Sequence, residues 1–290
     1  MNYPLIHIGY PKTGTTWFQQ RFYPNVKDAR FIPRIDILDQ IIRPYAIDFD
    51  TTQAVQYFHT DGRPRILICE ERLMVSVRSG GFNGFVMKEL GNRLKTIFPE
   101  ARIIIFIRNQ VDMIASAYGQ YIKEGGRSGI DDYLYHPKAG FYPGLSLFSF
   151  QYLEYDRILS FYQGIFGDNL FIFPYERFSS DRITFLTDFT RTFQLDINLE
   201  SLDFSRVNER YHSTSYMRFR NYLRIPRKIN MSLITRGWMT HKILFSKKQS
   251  SESILGKKNT EFINHYYRKS NQRLLDIFDM KEIRELGYPL

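Results

Sequence analysis

The stretch P-L-I-H-I-G-Y-P-K-T-G-T-T-W, residues 4–17, constrains this chain more than any other. Residues 4–8 form a short apolar run that reads as a buried strand. Gly9 to Gly14 then make a tight turn that holds Pro11 and Lys12. Thr15 and Thr16 open a segment, residues 17–22, with helix-like apolar spacing. A strand, a glycine-bounded loop and a helix N-terminus together cradle an anion, because unpaired backbone N–H groups and the helix dipole converge on one spot. The stretch therefore predicts a phosphate site.

The kind of phosphate site follows from the spacing. In the Walker A loop, G-x-x-x-x-G-K-[ST], the lysine follows the second glycine. Here Gly9 and Gly14 keep that separation, but Thr15 follows Gly14 and the lysine stands earlier, at Lys12. The run Y-P-K-T-G-T-T-W resembles, almost letter for letter, the 5′-phosphosulfate-binding loop of sulfotransferases that use 3′-phosphoadenosine 5′-phosphosulfate (PAPS). The resemblance implies a soluble bacterial or carbohydrate-type member. Backbone N–H groups of Thr13, Gly14, Thr15 and Thr16, with the Thr15 and Thr16 hydroxyls, would then hold the 5′-phosphate. Lys12 would reach the oxygen that bridges phosphorus and sulfur.

A second strand end completes the expectation. Residues 102–107, R-I-I-I-F-I, run into Arg108, and Ser116 follows eight positions later. This resembles the family's 3′-phosphate motif, an arginine at a strand end and a serine on the next helix. Ligands in open α/β sheets bind beyond the strand carboxyl ends, so both motifs would meet at one rim. Trp17 matches the tryptophan that packs on adenine in the cytosolic branch, and equally suits an ordinary core aromatic. Tyr175, in F-P-Y-E-R-F, resembles an adenine-side tyrosine. Arg210 and Tyr211 lie where relatives place a further phosphate-contacting loop.

Transfer to an acceptor hydroxyl or amine needs a base beside Lys12. Residues 64–71 read P-R-I-L-I-C-E-E, where small-molecule relatives resemble P-R-h-h-K-T-H. Counting along that pattern puts Glu70 at the histidine, whereas the serine-x-glutamate version of bacterial and glycan-directed members favours Glu71. Strand alternation turns the two to opposite faces, so one is expected to be catalytic and the other structural, with Glu71 preferred. His7, inside the first strand, reads as core. The six histidines show no H-x-x-H or H-E-x-x-H spacing and one cysteine cannot make a thiolate site, so no metal is expected. PAPS is the expected donor and adenosine 3′,5′-bisphosphate (PAP) the product.

Alternation of strands and helices predicts a central parallel sheet flanked by helices. Strands are expected at residues 65–69, 102–107 and 170–173. Helices are expected near 35–42 and at 86–98, 111–122, 148–166, 185–193 and 262–277, with a glycine-rich turn at 79–84 and a loop or lid at 125–144. The fold class is α/β, a P-loop-like sulfotransferase fold in one domain of 290 residues, with a basic, largely helical C-terminal extension.

Charge is concentrated in that extension. Residues 218–258 hold eleven Lys and Arg against one acid, Glu252, and so carry the whole net charge of +10. This segment reads as a solvated helical face, an anionic-acceptor site or a contact for an acidic membrane leaflet. No recognition motif supports nucleic acid. No apolar run approaches the ~18 residues of a membrane span, no signal peptide is read, and the lone Cys69 fits a reducing compartment, so a cytoplasmic protein is expected.

Two other readings stay open. A P-loop kinase or nucleotide hydrolase would want a lysine after Gly14 and a strand-terminal Asp for Mg²⁺. A non-catalytic membrane- or glycan-binding protein would depend on the 218–258 cations instead. The expected acceptor is a carbohydrate or glycan, with a small hydroxylated or amine natural product as the alternative.

Overall fold

The computed structural model describes residues 3–59, 65–75, 80–135, 147–205, 214–223 and 250–290. Five strands form one parallel sheet: β1 (Leu5–Gly9), β2 (Ala29–Phe31), β3 (Arg65–Cys69), β4 (Arg102–Ile107) and β5 (Leu170–Pro174). Their order is β2-β3-β1-β4-β5. Leu5 is paired with Leu67 on one side and with Arg102 on the other, and Ile103 with Leu170. Every strand is parallel to its neighbours, so all five carboxyl ends share one rim.

Helices cover both faces. The loop after β1 enters α1 (Thr15–Trp17), which continues as a π-helical turn, Phe18–Phe22. Then come α2 (Arg34–Ile37), α3 (Thr51–Phe58), α4 (Gly80–Asn83), α5 (Phe85–Ile97), α6 (Gln110–Lys123) and α7 (Ile130–Tyr135). The second half holds α8 (Tyr155–Phe166), α9 (Tyr175–Ser180), α10 (Arg182–Phe193), α11 (Thr214–Tyr222), α12 (Ser251–Leu255) and α13 (Lys257–Phe278).

Strand alternation sorts the apolar side chains into two cores. Ile6, Ile8, Ile66, Ile68, Ile103 and Ile105 face α5, α6, α8 and α13. Leu5, Leu67, Cys69, Ile104 and Phe106 face an aromatic layer built from Trp17, Phe18, Phe22, Phe178 and α10. His7 lies on this second face, stacked on Phe106 at 4.9 Å and edge-on to Phe18 at 5.2 Å. Burial pulls its imidazole down to about 3, so it stays neutral in the core as expected.

Several expectations need correction. β2 was not anticipated, because its three residues are only partly covered and carry no alternation signal, which makes the 170–174 strand the fifth. The glycine-rich run at 80–83 forms a helical turn, α4. The helix expected from 148 starts at Tyr155, after a 3-10 turn at Phe150–Leu153. Within the proposed lid, residues 130–135 form α7, and 136–146 lie outside the described residues. So does 224–249, most of the basic extension.

Candidate functional site

Each strand delivers a polar or aromatic group to the shared rim. β1 runs into the Tyr10–Gly14 loop, β3 into Glu70 and Glu71, β4 into Arg108, and β5 into Tyr175. β2 leads through Pro33, just ahead of α2, to Arg34. The strand order reverses direction at β1, the switch point where open α/β sheets leave a crevice.

The loop is anchored from below. Tyr10 is fully buried; its backbone N–H donates to the Phe106 carbonyl at 2.9 Å and its hydroxyl to the Tyr152 carbonyl at 3.2 Å. The buried Thr13 hydroxyl donates back to the Tyr10 carbonyl, so it is spent on closing the turn. Gly14 takes φ 87° and precedes α1 without a side-chain cap. A Cβ there would stand 3.1 Å from the Phe178 ring and 3.4 Å from that of Tyr175, so only glycine lets the loop lie this close to both. Lys12 also has a left-handed backbone, φ 71°, and its Nζ donates to Gln120 Oε1 on α6 at 3.3 Å.

Arg108 ties the second motif to the first. Its Nη1 donates to the Lys12 carbonyl at 2.9 Å, and its guanidinium carbon lies 5.0 Å from the centre of the Tyr175 ring. Its Nε is buried and has no hydrogen-bond partner among the described residues. Its backbone is fixed by Tyr155, whose hydroxyl donates to the Arg108 carbonyl at 2.6 Å and accepts from the Arg108 N–H at 3.3 Å. Ser116 stands one turn before Gln120 on α6, the face that meets Lys12. Lys12, Gly14, Arg108 and Tyr175 thus gather at one place, and an orphaned arginine nitrogen beside an uncapped helix start suits a multiply charged anion.

Trp17 is placed differently from an open platform. It is 4% exposed, stacked on Phe204 at 5.9 Å and packed on Phe178 at 5.2 Å, with its indole N–H donated to the Asp203 carbonyl at 3.0 Å. In this conformation it is a core aromatic, and a base could reach its face only by displacing Phe204. Arg210 and Tyr211 lie outside the described residues.

The two glutamates follow β3 and differ in burial, although one Arg34 nitrogen, Nη2, donates to both. Glu70 is wholly buried; Arg34 reaches both of its oxygens, at 2.5 and 3.0 Å, and the Arg72 N–H donates to it at 2.9 Å. Its carboxylate caps the 3-10 turn Glu71–Met74, which packs on Gly9 through Met74. Glu71 keeps 22% of its side chain exposed; Arg34 Nη2 donates to one oxygen at 3.1 Å and Gln19 Nε2 to the other at 2.9 Å. Of the pair, Glu71 is the one with open access. Arg34 and Gln120 were missed by sequence reasoning: neither belongs to a motif, and only the topology brings them to the rim.

A further carboxylate sits behind Arg108. Glu176 accepts from the Asn109 N–H at 2.9 Å and from the Tyr288 hydroxyl at 3.0 Å, and burial raises it above the ordinary glutamate range. Among the described residues no group of three or more His, Cys, Asp or Glu could hold a metal ion. None of the helices among them is long and apolar enough to cross a membrane.

No protein-family model matches the chain, and the curated proteins offer no significant sequence match. Solved structures do. A sulfotransferase from Alicyclobacillus acidocaldarius superposes with a TM-score of 0.53 at 11% identity, covering 100% of this chain and 98% of that one. A mouse sulfotransferase, SULT7A1 complexed with PAP, gives a looser likeness, with a TM-score of 0.41 at 13% identity over 99% of this chain and 88% of its own. With a five-stranded parallel sheet, helices on both faces and end-to-end superposition on the bacterial enzyme, the chain has the sulfotransferase fold.

Proposed function

We propose that the protein moves a sulfuryl group from PAPS to a hydroxyl or amine of an acceptor, a carbohydrate or glycan being the favoured class. The observation that carries this reading is the hydrogen bond from Arg108 Nη1 to the Lys12 carbonyl, which joins the two phosphate motifs in one site. PAPS supplies an activated phosphosulfate bond. The first-turn N–H groups at Gly14–Thr16 hold its 5′-phosphate, and Arg108 with Ser116 holds the 3′-phosphate. Lys12 brings positive charge to the oxygen that gains negative charge as the S–O bond breaks, a preorganised contribution of about 3–4 kcal/mol. Glu71 accepts the acceptor's proton, and Tyr175 offers its ring to the nucleotide beside Arg108. Positioning and charge stabilisation carry such a transfer, and a lysine with backbone dipoles takes the place a metal fills in phosphoryl transfer.

Support for the acceptor class is chemical: glutamates and not a histidine follow the 65–69 strand, and the local charge of residues 218–258 favours an anionic glycan. That segment is proposed to contact the acceptor's anionic surface, in the cytoplasm, a setting the single buried Cys69 supports. Calorimetry with PAP tests the reading. Wild-type protein should bind PAP, and Lys12→Ala should release no PAP from PAPS in the presence of an acceptor; a wild-type protein indifferent to PAP refutes the assignment. Screening acceptors with labelled PAPS then names the substrate.

A further inference from the structure

Arg108 can aim its guanidinium only if the peptide that carries it is fixed, and that peptide is held from three directions. Tyr155 on α8 takes the carbonyl and N–H of Arg108 itself. Glu176, the residue after Tyr175, takes the next N–H, that of Asn109. The third support comes from residues 287–289, more than a hundred positions away in sequence. Asn109 Nδ2 donates to the Gly287 carbonyl, and the Tyr288 hydroxyl donates to the second oxygen of Glu176. Asn109 meanwhile uses its own Oδ1 to cap α6 at the Val111 N–H, 2.9 Å away.

The 287–289 segment is itself anchored. Tyr288 is 4% exposed, and the Pro289 carbonyl accepts from Asn271 on α13 at 2.8 Å. Asn271 is paired with Gln110, the first residue of α6, at 2.7 Å, and both are fully buried. The assembly encloses Asn109 and reaches Arg108 through one peptide bond. Of these groups, Tyr155 also packs edge-on against Tyr10 at the start of the loop, and Arg108 itself donates to the Lys12 carbonyl. The common target of these supports is the arginine that the 3′-phosphate would meet.

We propose that Glu176 and Tyr288, with Gly287, are positioning residues for the 3′-phosphate end of the nucleotide, and that the ability to tell a 3′-phosphorylated adenosine from adenosine 5′-monophosphate depends on them. This rests on the reading of Arg108 given above. Loss of the carboxylate leaves the Asn109 N–H buried without its acceptor and frees the Arg108 peptide to shift. Loss of the Tyr288 hydroxyl leaves one carboxylate oxygen without its donor. Both changes act first on the Arg108 peptide. The N–H groups proposed to hold the 5′-phosphate, at residues 14–16, lie two or more residues beyond the loop atom that Arg108 bonds, the Lys12 carbonyl.

The test is calorimetry with two probes, PAP and adenosine 5′-monophosphate, on the wild type and on Glu176→Ala, Glu176→Gln and Tyr288→Phe. The ratio of the two affinities is the readout, because a general loss of folding lowers both alike. The expected result is a fall in the ratio of about tenfold for Glu176→Ala, the scale of one hydrogen bond to a charged group. Tyr288→Phe should fall by a smaller factor, and Glu176→Gln, whose amide oxygen still accepts from Asn109, should stay near the wild type. Should Glu176→Ala fail to fold, Tyr288→Phe, which loses one oxygen atom, decides alone. An unchanged ratio in the folded variants, or an equal loss for both probes, overturns the proposal. A wild type with no preference for PAP instead sinks the assignment of Arg108, and this inference with it.

Discussion

Lys12 sits at a backbone angle that lysine does not favour. Its φ of 71° costs a non-glycine residue about 1 kcal/mol, and the loop keeps it there because the Arg108 guanidinium and Gln120 fasten the residue at both ends. Lys12→Gly should therefore abolish PAPS turnover while leaving Tm unchanged or raised, opposite signs that a thermal melt and an activity assay read together. Glu71→Gln should lower turnover by about 10²–10⁴-fold with PAP affinity retained. Glu70→Gln should instead lower Tm, since Arg34 and the 3-10 turn lose a buried carboxylate. His7 adds a pH dependence. Held neutral in the fold down to about 3 but free to protonate at its ordinary value when unfolded, it binds fewer protons in the native state. Its contribution is thus present at neutral pH and lost as pH falls below about 6.5, by roughly 1.4 kcal/mol per unit. Urea titrations from pH 7 to pH 4 should show a flatter profile in His7→Leu than in the wild type.

Among the elements, the loop and α1 depend on Gly14. A methyl there meets Phe178 at 3.1 Å while the backbone stays at φ 87°, so Gly14→Ala should both lower Tm and weaken PAP binding, measured by calorimetry. This glycine was legible in the sequence because its role is local: strand, turn and helix start are consecutive. The same holds for β3 and β4, whose isoleucine-rich runs fall at 65–69 and 102–107 as read from the pattern. Arg108 and Tyr175 were legible as strand-end residues. β2 was not, since three partly covered residues take their conformation from pairing with β3 and not from their own sequence. Trp17 was ambiguous for a related reason: a buried and an open tryptophan have the same neighbours in sequence, and Phe204, which covers it, lies far along the chain. Arg34, Glu176 and Tyr288 escaped notice because their partners are long-range side chains and peptides that no motif describes.

Across the whole molecule, the two ends of the sheet do different work. At the amino ends, Arg102 and Arg65 lie over the Tyr3 ring at 3.6 and 4.3 Å, and Arg65 Nη1 donates to the Phe193 carbonyl at 2.7 Å. At the carboxyl ends stand the loop, the glutamates and Arg108. Tyr3→Ala should lower Tm without changing PAP affinity, and equal losses in both would contradict this division. The strand order adds a lateral division to the vertical one. β1, with Lys12, separates β4 and β5, which carry Arg108 and Tyr175, from β3 and β2, which lead to Glu71 and Arg34. If the proposed sulfuryl transfer holds, this arrangement offers an engineer a natural seam. Sequence grafted on the β2–β3 flank, beside Glu71, should alter acceptor choice while PAP affinity, which would depend on the flank across the central strand, stays as it was.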